Sequence, residues 1–343
     1  MAAVQALENG RLEFVERPIP APARGEVLIR VHCSPVNPAD RMQIAGAYVR
    51  RRDPPFTPGL VGVGTVVEAR RAGLAGRLVA GRRVVFAPGP DREGVWAQFA
   101  IAPVSYCLPL ANDLSDTDGV NLLANATTIF GLLDRANSAK AKAVVLTGAG
   151  GEIGKLLNRA ARQRGVTMIN VVRREEQAEA LRRNGCEHIV VSDIDDFQVR
   201  LGTLARGLGA TLAFDAIAGE MTRRLLAALP DGSEVVVFGR LSGDDVGFDG
   251  FETLVGRRQK LSGFDVNVWL GSLSTLAVLR VAKKAAALLR KGEGTQVQHR
   301  VGLADLVARY DELQRDQTSG KTILFPNGDP WPDRMLSSVR QKA

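Results

Sequence analysis

Up to about residue 110 the apolar positions come in short alternating runs broken by Gly and Pro, the pattern of half-buried strands joined by turns. EVLIRVHC, VGVGTVVEA, RRVVFAP and GVWAQFAIA read as strands of a small β-barrel, and a short helix is predicted after Asn37-Pro38 with Asp40 and Arg41 in its first turn. From Asp116 the rhythm turns helical through NLLANATTIFGLLDRA and then alternates β-branched runs with longer helical stretches. The predicted strands are AVVLT (143–147), TMINVV (167–172), HIVV (188–191), TLAFD (211–215), EVVVF (234–238) and QKLSG (259–263). A long helix, LSTLAVLRVAKKAAALLRKG, leads to VGLADLVARYDELQRD and a last strand KTILFP, which are expected to return to the first domain.

Six strands separated by helices predict a parallel sheet covered on both faces, a doubly wound Rossmann arrangement. The chain of 343 residues is too long for one growing core. The expectation is therefore an α/β protein with a β-barrel domain over 1–115, completed by 300–343, and a dinucleotide-binding domain over 116–299. Apolar residues make up 45% and charged residues 24%, which suits a folded enzyme. No apolar run approaches the ~18 residues of a membrane span. MAAVQALENG lacks a basic stretch followed by an apolar one, so no secretory signal is expected. Cys33, Cys107 and Cys186 form no C-x-x-C pair, which fits a reducing cytoplasm. The net charge of +8 comes from arginines spread along the whole chain, which disfavours a nucleic-acid partner but suits an anionic cofactor or substrate. The final stretch, PNGDPWPDRMLSSVRQKA, is Pro-punctuated and reads as peripheral.

The stretch AVVLTGAGGEIGKLLNRAARQRG is a strand, a glycine turn and an apolar-periodic helix, with glycines at 148, 150, 151 and 154. A glycine turn alone is a weak signal. Set between a strand and a helix start, it lets backbone approach a pyrophosphate that also meets free N–H groups and a positive dipole end. An NAD enzyme places Asp or Glu at the end of the next strand for the ribose 2′-hydroxyl. Here that strand ends in Val172-Arg173-Arg174, and two guanidiniums suit a 2′-phosphate. NADPH is the expected cofactor.

In order along the chain these parts resemble the medium-chain dehydrogenase/reductase superfamily, a GroES-like barrel plus a Rossmann domain, over nearly the full length. The resemblance is to its quinone oxidoreductases and more specifically to its trans-2-enoyl-thioester reductases of the mitochondrial type. In the zinc alcohol dehydrogenases a cysteine ligand and a Gly-His-Glu occupy the stretches that read SPVNPAD and PGLVGVG here, so Asn37, Leu60 and Val61 stand in those places. The resemblance thus implies no metal. NPADRMQIAGAY matches the family's Asn-Pro-x-Asp helix and puts its active-site tyrosine on Tyr48. NATTIF puts Asn125 and Thr128 beside the nicotinamide or its ribose, and the glycine turn matches Gly151, Glu152, Ile153 and Gly154. VVVFGRLSG and KLSGFDVNVW resemble the cofactor-covering loops at Phe238, Gly239, Leu241, Phe264 and Asn267, and SGKTILFP places Lys321 at the family's C-terminal lysine. Two departures stand out: Val61 replaces the glutamate of Gly-x-Glu-Gly, and GFDV replaces Gly-Phe-Trp.

Without zinc no Lewis acid polarises an alcohol, so alcohol oxidation is disfavoured. Reduction of a C=C bond conjugated to a carbonyl needs a hydride source and a donor for the developing enolate, and Tyr48 suits the second role. Arg50 to Arg52 beside it could steer anionic thioesters of coenzyme A or acyl carrier protein, or serve as a solvated loop. A second reading is an NADPH:quinone oxidoreductase in which Tyr48 is dispensable. A third is a catalytically weak, crystallin-like NADPH-binding or RNA-binding protein, which Val61 favours and Tyr48 and Asn125 oppose. The resemblance also implies a homodimer joined through the edge strand after Gly256.

Overall fold

Alternate burial along the N-terminal stretch builds paired strands in the computed structural model, which describes residues 1–48, 50–89, 91–290, 295–315 and 320–329. The hairpin β1 (Ala2–Ala6) and β2 (Leu12–Glu16) turns back near Gly10, whose φ of 74° lies in the left-handed region glycine tolerates. There follow β3 (Glu26–Pro35), α1 (Pro38–Ile44), β4 (Gly62–Glu68), α2 (Gly73–Val79), β5 (Arg83–Phe86), β6 (Phe99–Pro103), β7 (Cys107–Pro109) and α3 (Asp116–Asn121). The stretch GVWAQFAIA is not one strand, because its backbone bonds go to two partners. Gly94, Val95 and Trp96 donate to the carbonyls of Thr57, Gly59 and Pro58, whereas β6 pairs antiparallel with β3. A Cβ on Gly94 would lie 2.1 Å from the Pro58 oxygen, so only glycine permits that approach.

A single π turn, Leu122–Ala126, precedes α4 (Thr127–Ser138). Then come β8 (Ala143–Leu146), α5 (Glu152–Arg162), β9 (Thr167–Val172), α6 (Glu175–Arg183), β10 (His188–Val191), α7 (Phe197–Leu208), β11 (Leu212–Asp215), α8 (Glu220–Ala228), β12 (Glu234–Val237), β13 (Lys260–Gly263), α9 (Val266–Gly271) and α10 (Thr275–Arg290). All six strands are parallel, in the order β10-β9-β8-β11-β12-β13. The order reverses between β8 and β11, the place where such sheets open a crevice at their carboxyl ends. Val145, Ile169, Phe197, Leu201, Leu225 and Val235 fill the core on one face. Each contributes about 1.5–3 kcal/mol by leaving water.

The chain then returns through β14 (Val297–Val301), α11 (Leu303–Arg315) and β15 (Lys321–Leu324). β15 pairs antiparallel with β3, giving a sheet ordered β14-β15-β3-β4-β5-β7. Val301, Leu306 and Leu324 join Ile29, Phe86 and Trp96 in the barrel core, so the last elements belong to the first domain by packing as well as pairing. Two units result: Met1–Ala124 with the described residues from Leu289 onward, a GroES-like barrel, and Asn125–Leu288, a Rossmann domain. Among the described residues no helix is long and apolar enough to cross a membrane.

Candidate active site

In the Rossmann unit the carboxyl ends of β8, β9, β11 and β12 converge. Gly148 has φ of 62°, and a Cβ there would meet Ala216 at 3.3 Å and Leu241 at 3.6 Å. A Cβ on Gly154 would stand 2.2 Å from the Ala149 oxygen, so α5 packs directly on the turn. Gly151 caps α5, with Glu152 and Ile153 in its first turn. Around Gly150 the nearest atoms to an added Cβ belong to Gln177, at 3.6 Å, and around Gly151 only the Gly148 oxygen comes within 4 Å. Those two positions leave an open cradle before a helix N-terminus, which fits a pyrophosphate.

Side chains tie the turn to its neighbours. Buried Asn158 on α5 donates to the Gly154 carbonyl at 2.9 Å and exchanges amide hydrogen bonds of 2.6 and 3.0 Å with buried Asn170 on β9. At the end of β9, Arg173 and Arg174 are exposed, and their backbone N–H groups donate to Gln177 Oε1 at 3.0 and 3.2 Å. Glu175 beside them is engaged by Arg182 at 2.6 Å. Asp215, at the end of β11, is fully buried and accepts from Thr147 Oγ1 at 2.7 Å, Thr222 Oγ1 at 2.6 Å and the Ile217 N–H at 2.9 Å. Phe238 N–H reaches the Asp215 carbonyl, and a Cβ on Gly239 would lie 2.7 Å from the Ala216 oxygen. Phe264 packs against Gly131 of α4, where a Cβ would come within 2.3 Å of its ring, and lies 6.4 Å from Trp269 between centroids. Asn125 in the π turn and Thr128 at the start of α4 are buried, and the Asn267 N–H in the first turn of α9 donates to Asp265 Oδ1 at 2.7 Å. The glycine turn thus lies beside Leu241 and Gln177, whereas Asn267 is held within its own turn.

In the barrel unit Asn37 caps α1, and its backbone N–H donates to Asp40 Oδ2 at 2.7 Å. Lys321 Nζ donates to Asn37 Oδ1 at 2.8 Å, joining two predicted residues that lie 284 positions apart. Asp40 Oδ1 accepts the Leu60 N–H at 2.8 Å, and Ser34 Oγ donates to the Val61 carbonyl at 2.8 Å, so the segment at 60–61 is fixed from two sides. Burial pushes the Asp40 carboxyl up from 3.8 to about 6, against the lowering pull of the Asn37 and Leu60 N–H groups and of Lys321. Tyr48 is half-buried in the bend after α1. Arg50 is exposed, and Arg52 donates to the Arg92 carbonyl.

Residues 23–112 match the alcohol dehydrogenase GroES-like domain and residues 153–279 the zinc-binding dehydrogenase domain. The mitochondrial enoyl-[acyl-carrier-protein] reductase of Caenorhabditis elegans is 26% identical over 68% of this chain and 67% of its own. The quinone oxidoreductase of Rattus norvegicus is 25% identical over 70% and 73%. A candidate NADPH:quinone reductase from Mesorhizobium loti superposes with a TM-score of 0.87 at 26% identity, covering 95% of this chain and 98% of that one. The chain belongs to the medium-chain dehydrogenase/reductase superfamily. It sits on the quinone oxidoreductase and enoyl reductase branch and is an oxidoreductase.

The residues that the resemblance sets at the places of the zinc ligands have the following partners. Asn37 meets Lys321, the Leu60 N–H is bound by Asp40, and the Val61 side chain is buried. Among the described residues no group of three or more His, Cys, Asp or Glu could hold a metal ion. Sequence reasoning passed over Asp215, Gln177 and the Asn158–Asn170 pair. The available signals were an acid ending a buried strand and a Gln three residues after the Arg174 cap, a capping-box position.

Proposed function

We propose that this oxidoreductase is an NADPH-dependent reductase of C=C bonds conjugated to a carbonyl, acting on 2-enoyl thioesters or small enones. The observation that carries the cofactor choice is the Arg173–Arg174 pair anchored at the end of β9, with neighbouring Glu175 occupied by Arg182. Two guanidiniums favour a 2′-phosphate through charge-assisted hydrogen bonds and offer a 2′-hydroxyl no acceptor. The cradle at Gly150 and Gly151 and the first turn of α5 would hold the pyrophosphate, and Phe238, Gly239, Leu241, Phe264 and Asn267 would cover the dinucleotide. Asn125 and Thr128 would hold the nicotinamide end, and in the barrel unit the family resemblance makes Asn37, whose amide Lys321 orients, a further cofactor-binding residue.

The bound cofactor supplies hydride to the β-carbon of the double bond. As charge gathers on the carbonyl oxygen, the Tyr48 hydroxyl would donate a hydrogen bond to it and stabilise the enolate, and a proton from Tyr48 or from water would then reach the α-carbon and complete the saturated product. A second reading, quinone reduction, is supported by the quinone-oxidoreductase relatives. There the developing charge is spread over a ring and water can protonate it. Steady-state NADPH oxidation with crotonyl-CoA and with a quinone, in wild type and Tyr48→Phe, tests both. The expected result is a ~10²-fold or greater fall in kcat with crotonyl-CoA and little change in NADPH binding. Unchanged enoyl reduction in Tyr48→Phe overturns the proposed role, and turnover of the quinone alone selects the second reading. A homodimer is part of the proposal. β13 is the sheet edge, and the nearby segment carries exposed Phe251, Leu254 and Val255, which suits pairing with a second copy.

A further inference from the structure

We infer that Gln177 is a specificity-determining residue whose side-chain amide donates to the 2′-phosphate of the cofactor, and this rests on the NADPH reading above. A glutamine amide has an accepting and a donating end, and only the surroundings decide which way each faces. Here the choice is made by two backbone donors. The N–H groups of Arg173 and Arg174 both point at one atom of Gln177, at 3.0 and 3.2 Å, and two donors can share only the oxygen. The Nε2 end is thereby turned away from them, and it lies 3.7 Å from where a Cβ of Gly150 would be. Among the described residues no acceptor engages it. A fixed N–H donor therefore stands between the phosphate cradle and the arginine pair, at the end of the strand where a dinucleotide places its adenosine ribose.

The same contact explains how two exposed arginines can act selectively. Long guanidinium side chains lose rotamer freedom when they bind, and the cost falls when their backbone is already fixed. Gln177 fixes it by holding both N–H groups at the N-terminus of the nine-residue helix α6. A Cβ at 150 would stand 3.6–3.8 Å from Gln177, ordinary van der Waals contact, so the turn and the amide lie side by side without crowding.

The test compares wild type, Gln177→Glu and Gln177→Met in titrations with NADPH, NADH and adenosine 2′,5′-bisphosphate, followed by fluorescence and calorimetry, with an Arg173→Ala/Arg174→Ala variant as calibration. Glutamate keeps an acceptor for both backbone N–H groups, so folding and melting temperature should be retained. It replaces the outward donor by a negative oxygen, so NADPH and adenosine 2′,5′-bisphosphate should bind roughly tenfold or more weaker while NADH changes by less than about twofold. Methionine keeps the bulk and removes both functions, and a smaller NADPH-selective loss is expected. If Gln177→Glu binds NADPH like wild type, or weakens NADPH and NADH equally, while wild type still prefers NADPH and the arginine variant does not, the role of Gln177 is overturned and the cofactor reading stands. If wild type itself binds both dinucleotides alike, the cofactor reading fails and this inference fails with it.

Discussion

Asp40 in the barrel unit and Asp215 in the Rossmann unit are both fully buried carboxylates, yet different donors satisfy them. Asp215 gathers two hydroxyls and one backbone N–H, and Thr147 passes the link on by accepting the Ala216 N–H at 2.8 Å. It staples the turn after β8, the loop after β11 and the helix α8 to one another. Asp40 holds two backbone N–H groups, with Lys321 supplying positive charge, and burial still raises its carboxyl to about 6. A buried acid built on hydroxyls and backbone can serve as pure scaffold. One placed beside the Asn37–Lys321 pair, with its carboxyl raised to about 6, brings a change of charge to a candidate site.

The largest effect that would break this contrast is expected at Asp215. Asp215→Ala would leave two buried hydroxyls and one partly buried N–H without their acceptor, at about 1–3 kcal/mol for each buried group left unsatisfied. With partial relaxation, a loss of roughly 3–5 kcal/mol in unfolding free energy is expected, and about half of that for Asp215→Asn, which keeps one acceptor oxygen. Urea titration at neutral pH measures both. A loss below about 1 kcal/mol for the alanine variant would remove Asp215 from the scaffold.

For Asp40 the sign is the reverse of the usual carboxylate. Its folded value of about 6 lies above the ordinary 3.8, so between those values the folded state keeps a proton that the unfolded state has lost. Stability must therefore fall as pH rises from about 4 to 6, by up to about 3 kcal/mol from this group. Asp40→Asn cannot ionise. Its cost relative to wild type should be greatest near pH 4 and shrink toward pH 7. Thermal melts of the two proteins across that range check it, and a difference independent of pH would mean that Asp40 titrates as if exposed.

The contrast also shows what the amino-acid pattern carries. The six parallel strands were legible because their apolar runs are short, β-branched and separated by helical stretches, and each predicted run falls within one residue of the observed ends. Asp215 was visible only as the last letter of TLAFD. Its role depends on Thr147, 68 residues earlier, and on β8 and β11 being neighbours, which is a property of sheet order. Asp40 was read as an acid in a first helical turn, and its burial depends on the Leu60 segment folding back over it. The β1–β2 hairpin gave a weak signal because β2 exposes Phe14, which blurs the alternation, and β14 was hidden by the polar centre of VQHRV. The Arg pair was legible, and the residue that orients it was not.

The smallest effect sharpens the contrast most directly, because it changes the surroundings of Asp40 without touching the acid. Lys321 donates to Asn37 and draws the Asp40 carboxyl downward. Lys321→Met keeps much of the side-chain volume and removes the charge. Neutral Asp40 loses almost nothing by this, whereas ionised Asp40 loses a favourable partner in a poorly screened interior, about 1 kcal/mol. The variant should therefore be near wild type at pH 4.5, apart from the single hydrogen bond to Asn37, and increasingly less stable as pH rises beyond 6. Combined with Asp40→Asn the pH-dependent part should vanish, since the charge that Lys321 favours is gone. Equal losses at pH 4.5 and 7.5, or the same pH dependence in the double variant, would show that Lys321 acts on Asn37 alone and that Asp40 is, like Asp215, only a staple.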